Sequence, residues 1–225
     1  MTVQEVKNIV DKIENIDSSD ENAYEKIILA LMEIKHFPVL LYDIPAGSIL
    51  FRSRTNSEDD FFQTIDEISL TPNQFILSFG RCNRPFQSKF YASENRPTSF
   101  MELVEYWSKG KKPGDSVYVT IGCWHLINDL RTIVITTPDA ENRVNEYDKR
   151  NGEILDKFIE DSASEIREAS KEVYRFFFDK FRKPSKDDLK NYLITSAITN
   201  LSLSLTEGKA SGITYPSVPF GGQGE

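Results

Sequence analysis

Two kinds of hydrophobic spacing divide this chain, and the division limits what it can fold into. At the start, Val3, Val6, Ile9, Val10, Ile13 and Ile16 recur at the three-to-four-residue interval of an amphipathic helix. After Ser18, Ser19 and Asp20, a second helix is predicted through Tyr24, Ile27, Ile28 and Leu31 to about Ile34. Helical spacing returns from Asp139 to about Thr206. It runs through Ile154, Leu155, Phe158 and Ile159, then Ile166, Val173, Phe176 and Phe177, and finally Leu189, Tyr192, Leu193, Ile198 and Leu201. Ser185 and Asp188 have the spacing of a capping box ahead of that last run.

Between the helical ends the pieces are short and strand-like. Ile49, Leu50 and Phe51 lead into a strand ending FRSRTN, and 86–92, 116–123 (SVYVTIGC) and 129–137 read as further strands. Residues 98–107 read as a helix, 58–73 as an acidic loop, and ITYPSV near the end as a last extended piece. The expectation is an α+β fold in a single domain, for which 225 residues are ample. It places N-terminal helices in 1–45, a sheet core in 48–137 and 211–225, and a helical insertion in 139–206.

Charge and composition narrow the function classes. With 35 acidic against 27 basic residues, the net charge of −8 opposes nonspecific nucleic-acid binding, which requires excess positive charge. Cys82 and Cys123 form no disulfide framework, and His36 and His125 are too few and too separated for a histidine-rich metal site. The opening residues mix acids with aliphatics, unlike a secretory leader, and no apolar run reaches bilayer length, so a cytoplasmic location without membrane attachment is expected. Neither a GxxxxGK[ST] loop nor a GxGxxG turn is present, and no GxSxG elbow surrounds Ser217.

Six residues carry candidate chemistry, each with a plainer reading beside it. Arg52 and Arg54 share one face of a strand, as a bidentate clamp for phosphate or as a solvated surface. Arg81 follows Gly80 in GRCN, where it holds an anion or decorates a turn. Tyr91 stacks on a ring or packs at a strand end. Glu102 is a catalytic carboxylate or, three residues after Ser99, the reciprocal partner of a capping box. Ser217 follows Pro216 in an extended stretch and means little by itself. The Phe176-Phe177-Phe178 run beside Tyr174 favours a second reading, a noncatalytic interaction module, since three adjacent aromatics are not expected to face one core.

The order of these pieces resembles the RES domain family: an LFR strand, GRCN, FYAS ahead of a helix bearing a glutamate, and YPSV before a glycine turn. The resemblance implies an ADP-ribosyltransferase-like sheet core and cleavage of NAD⁺ at its nicotinamide–ribose bond, with NAD⁺ as substrate and no metal. It puts Arg52, Glu102 and Ser217 in the catalytic set, and Arg52, Arg54, Arg81 and Tyr91 on the dinucleotide. It also implies a toxin of a toxin–antitoxin pair, with an Xre-like helix-turn-helix antitoxin as partner; self-association is left open. Three features depart from the family pattern. Cys82 stands where an aromatic is usual, the helical region is long, and family members continue past the position of Glu225 with an asparagine-led strand.

Overall fold

The computed structural model describes residues 1–35, 37–56, 61–108, 110–184 and 188–217. Helix α1 (Val3–Glu14) opens with a capping box, in which the Thr2 hydroxyl accepts from the Glu5 amide and the Glu5 carboxylate accepts from the Thr2 amide. It buries Val6, Ile9 and Ile13, the stripe its spacing predicts. Helix α2 (Ala23–Met32) buries Ala23, Ile27, Ala30 and Leu31. Three longer helices come before the last strand: α5 (Glu146–Glu160), α6 (Ser164–Arg182) and α7 (Leu189–Leu205). Helix α1 packs on α6 and α2 on α7, so the two helical regions of the sequence form one layer.

That layer, whose later helices lie between two strands in sequence, holds the main core. Val173, Phe176, Phe177 and Phe181 of α6 meet Leu193, Ile194, Ala197 and Ile198 of α7, together with the buried stripes of α1 and α2. All three adjacent phenylalanines are buried: Phe176 and Phe177 in this cluster, and Phe178 under the guanidinium of Arg182. The run is therefore packed inside the molecule, while α6 turns Glu165, Arg167, Glu168 and Asp179 to solvent. Helix α7 also buries Thr195 and Thr199, whose hydroxyls donate to the Asn191 and Thr195 carbonyls one turn back at 3.0 and 2.9 Å. Asp188 itself caps α7, accepting from the Asn191 amide at 3.0 Å; the predicted partner Ser185 lies outside the described residues.

The strands form two small sheets, where the sequence suggested one. Strand β1 (Leu41–Ile44), unforeseen inside the N-terminal region, pairs antiparallel with β4 (Leu130–Val134), and β4 pairs parallel with β5 (Gly212–Thr214). Separately, β2 (Ile49–Asn56) and β3 (Tyr118–His125) make an antiparallel ribbon over eight residue pairs. The fold is α+β. No helix among the described residues is long and apolar enough to cross a membrane, and no cluster of metal-binding side chains occurs among them.

The predicted strand at 86–92 is irregular. Phe86 has φ of +60°, in the left-handed region that an extended strand cannot use. The Ser88 amide goes to the side chain of Asn73 at 2.7 Å, and the Gln87 side chain donates to Asn200 at 2.7 Å, so ladder bonds are replaced by side-chain bonds. The Phe86 amide donates to the Ile76 carbonyl at 2.7 Å, and just past the segment Ser93 exchanges two 2.8 Å bonds with Phe51 of β2.

Helix α5 packs on α6 and buries Asp148, Asn151, Leu155 and Ile159. Leu155 and Ile159 meet Val134, Leu40 and Tyr174. At the helix start the seam turns polar: Asp148 is fully buried, and neither of its carboxylate oxygens has a hydrogen-bond partner among the described residues. Burial raises its pKa to about 6, against the opposing pull of Arg182 and Arg143. A carboxyl whose folded pKa exceeds its unfolded value makes the folded state the better proton binder, so stability rises as pH falls through about 6. Replacing Asp148 by Asn is therefore expected to raise the urea midpoint at pH 8 and to leave it close to the wild-type value near pH 4. Equal effects at both pH values would show that the buried charge carries no cost.

Candidate functional site

Helix α4 (Arg96–Ser108) lies across β2 and starts one turn earlier than its glutamate suggested. Asn95 is the cap, with its side chain accepting from the Thr98 amide at 2.8 Å, and Pro97 occupies the first turn, where no intrahelical donor is needed. Ser99 is thus inside the helix, buried, with its hydroxyl 2.8 Å from that of Ser53 on β2. This overturns the Ser99–Glu102 capping box, because Ser99 lies within the helix and Asn95 is its cap.

Glu102 is half-buried, and its Oε1 accepts from the Ser217 hydroxyl at 2.7 Å, a contact spanning 115 positions of sequence. The parallel pairing delivers Ser217. Thr214 lies beside Val134, its carbonyl accepts from the Ile135 amide at 2.8 Å, and Tyr215-Pro216-Ser217 carries the chain onward to α4. Tyr215 is fixed by Phe181, with ring centroids 5.2 Å apart. Burial pushes the Tyr215 phenol well above its ordinary pKa, with the Glu102 charge contributing in the same direction.

Arg81 does not project toward a ligand. It is 7% exposed, and its guanidinium donates to the carbonyls of Phe181 and Lys183 at the end of α6, at 2.5 and 3.2 Å. Its ring neighbour is Tyr215, 5.9 Å from Cζ. Helix ends leave carbonyls without partners, and a cation there also answers the helix dipole. The anion-binding reading of Arg81 is thereby replaced by a capping one. Arg81 is held by a tight turn in which the Gly80 amide donates to the Asn83 carbonyl at 2.9 Å.

Tyr91 ties this turn to the ribbon. Its hydroxyl accepts from the Cys82 amide at 2.8 Å and donates to the Asn83 side chain at 2.9 Å. Its own carbonyl accepts from Arg52 at 3.3 Å. The phenol end is buried and its pKa is pushed well up by that burial, while the residue as a whole remains 37% exposed. Cys82 is buried and its thiol pKa is raised by burial, so it is a packing residue.

Arg52 and Arg54 share a face of β2, as predicted, but it is the face away from α4. Ser53 points to α4, so its neighbours in a pleated strand point the other way. Arg52 rests on Phe90, with Cζ 5.0 Å from the ring centroid, and Arg54 on Phe62 at 5.3 Å while donating to the Glu67 carbonyl. Burial, and then the neighbouring Arg54 charge, lowers the Arg52 pKa, and no ion pair to Arg52 exists among the described residues. The six candidates therefore fall into two groups. Glu102, Ser217 and the Arg81 turn lie toward α4 and β5, while Arg52 and Arg54 lie beneath the 61–68 and 86–92 segments. Tyr91 touches both.

Sequence reasoning missed Asn95, Ser53, Gly122 and Trp124. The Asn-Arg-Pro start of α4 was readable in principle, but the Ser53–Ser99 contact and the stacking of Trp124 over Gly122 depend on register that no local pattern encodes.

No protein-family model matches the chain, nor does any curated protein or solved structure.

The turn can be tested directly. A Cβ at Gly80 would stand 2.4 Å from the Asn83 side-chain oxygen and 3.2 Å from the Tyr91 hydroxyl. Gly80→Ala is expected to destabilise the fold by about 1–3 kcal/mol, the usual cost of overpacking a fixed site. Arg81→Ala should cost a similar amount, roughly 1–3 kcal/mol, by stranding carbonyls at the end of α6. Urea titration measures both, and a neutral Arg81→Ala would remove the capping role.

Proposed function

We propose that this chain breaks the nicotinamide–ribose bond of NAD⁺ as a RES-type enzyme on an ADP-ribosyltransferase-like core. The observation that carries the reading is the 2.7 Å hydrogen bond from Ser217 to Glu102. A serine and a glutamate from distant segments meet through their side chains, in the pairing that the resemblance to the family implies. The carboxylate's own helix start, its most ordinary partner, is already satisfied by Asn95.

In this reading Ser217 is a positioning residue. Its hydroxyl bonds one carboxylate oxygen and so helps to fix the direction in which Glu102 faces a ribose hydroxyl. As the C1′–N bond breaks, its electron pair leaves on the pyridine nitrogen and neutral nicotinamide departs. Positive charge builds on the ribose ring, and the contact with Glu102 strengthens with it, so stabilisation is greater in the transition state than in the bound substrate. Water, phosphate or a protein side chain then adds to C1′ and loses its proton to solvent. Arg52 and Arg54, on the ribbon face away from α4, are the guanidiniums assigned to the diphosphate, and binding energy spent there, remote from Glu102, positions the reacting bond. The Arg81 turn supports the site through Tyr91 and does not contact the dinucleotide.

Incubating the purified chain with NAD⁺ should release nicotinamide. Glu102→Ala should reduce the rate by about a hundredfold or more, the scale of losing one transition-state charge contact. Ser217→Ala should reduce kcat about tenfold with little change in KM, as expected of orientation, and Arg52→Ala should act mainly on KM. A folded wild-type chain that releases no nicotinamide would sink the enzyme reading.

A further inference from the structure

On the ribbon face away from α4, two buried N–H donors have no acceptor among the described residues: Nε of Arg52 and Nε1 of Trp124. Register places them in one neighbourhood. Arg52 stands opposite Gly122 and Leu50 opposite Trp124, so alternation sends the Arg52 and Trp124 side chains to the same face. The indole nitrogen lies over Gly122, 2.8 Å from where a Cβ would stand there. Phe90 meets both groups: Arg52 Cζ is 5.0 Å from its centroid, and the Trp124 ring is 5.0 Å away, edge to face at 82°. The Arg54 guanidinium follows two residues along on the same face.

No described acid answers these donors. Arg52 has no carboxylate partner, and the nearby Glu67 carboxylate is turned to the amides of Gln63 and Thr64, at 2.6 and 2.9 Å. Buried N–H groups almost always find an acceptor, because leaving one unmade forfeits its hydration without return. Two unmet donors beside a second guanidinium favour an oxygen bearing negative charge over a neutral acceptor.

We infer that Arg52 Nε and Trp124 Nε1, set over Gly122, form a two-donor seat for a phosphate oxygen of the ligand. The ligand class rests on the proposed function; the assignment of Trp124 as a binding residue does not follow from that reading. Gly122 is needed because a side chain there would push the indole nitrogen aside. The seat is closed by Ile68, whose Cδ1 is 3.3 Å from the same Cβ position. Ile68 ends α3 (Ile65–Ile68), a single turn that Arg54 holds through the Glu67 carbonyl. Entry of a ligand oxygen therefore displaces a side chain on a one-turn helix and leaves the ribbon ladder intact.

Calorimetric titration of the full chain with inorganic pyrophosphate and with ADP-ribose tests this. Trp124→Phe removes one N–H and keeps an aromatic ring, and Arg52→Lys removes the Nε donor and keeps the charge. Each is expected to weaken both anions about tenfold or more, the scale of one hydrogen bond to a charged group. Should Trp124→Phe fail to fold, as judged by its urea transition, Arg52→Lys carries the test. Wild-type affinity in the folded variants overturns the seat, as does a wild-type chain that binds neither anion. Nicotinamide release is read in parallel. Anion binding that depends on Trp124, in a chain that releases none, sustains the seat and overturns the enzyme reading; release and binding that both survive Trp124→Phe do the reverse.

Discussion

A parallel pairing of three residues governs the rest of the molecule. Thr132, Ile133 and Val134 of β4 run beside Gly212, Ile213 and Thr214 of β5 in the same direction. Parallel neighbours cannot be joined by a tight turn, because the chain must return to the starting edge before the second strand begins. Helices α5, α6 and α7 are that return. Of these, α6 and α7 supply the part of the principal core that α1 and α2 pack against, and α5 contributes to the smaller cluster under β4. The strand that emerges from this long crossover carries Ser217 to Glu102.

Arginine does three different jobs here, and burial and hydrogen-bond partners tell them apart. Arg143 is bonded to the Asp156 carboxylate by two 2.7 Å bonds, and a Cβ at Gly152 would collide with it; this is an ion pair with its space reserved. Arg81 spends its donors on carbonyls at a helix end. Arg52 alone of the three combines partial burial with an unmet donor and no anion. Composition counts all three alike.

The sequence made the helices legible because each carries a long periodic stripe. Val6, Ile9 and Ile13 are buried as spaced, and the runs in α5, α6 and α7 fall within helices. The strands were less legible for a physical reason: four or five residues of alternation do not say which strand pairs with which. Hence Tyr42 and its neighbours in β1 went unread, and one sheet was expected where two exist. At the site, chain order brought Glu102 and Ser217 into view, but local spacing pointed Glu102 at Ser99. The true cap, Asn95, lay four residues earlier. The placement of Arg52 away from α4 followed from the Ser53–Ser99 contact, which only folding creates.

The crossover also fixes how this protein could be shortened. If a short loop linked β4 to β5 directly, the second strand would have to reverse and run antiparallel. Its far end would then exit at the start of β4, near Leu130, instead of beside Ile135. The serine would arrive at the wrong margin of the sheet, and the guanidinium of Arg81 would be entombed without its carbonyls. Any pared-down descendant must therefore keep a return path of comparable reach, or find another route by which a hydroxyl can approach α4.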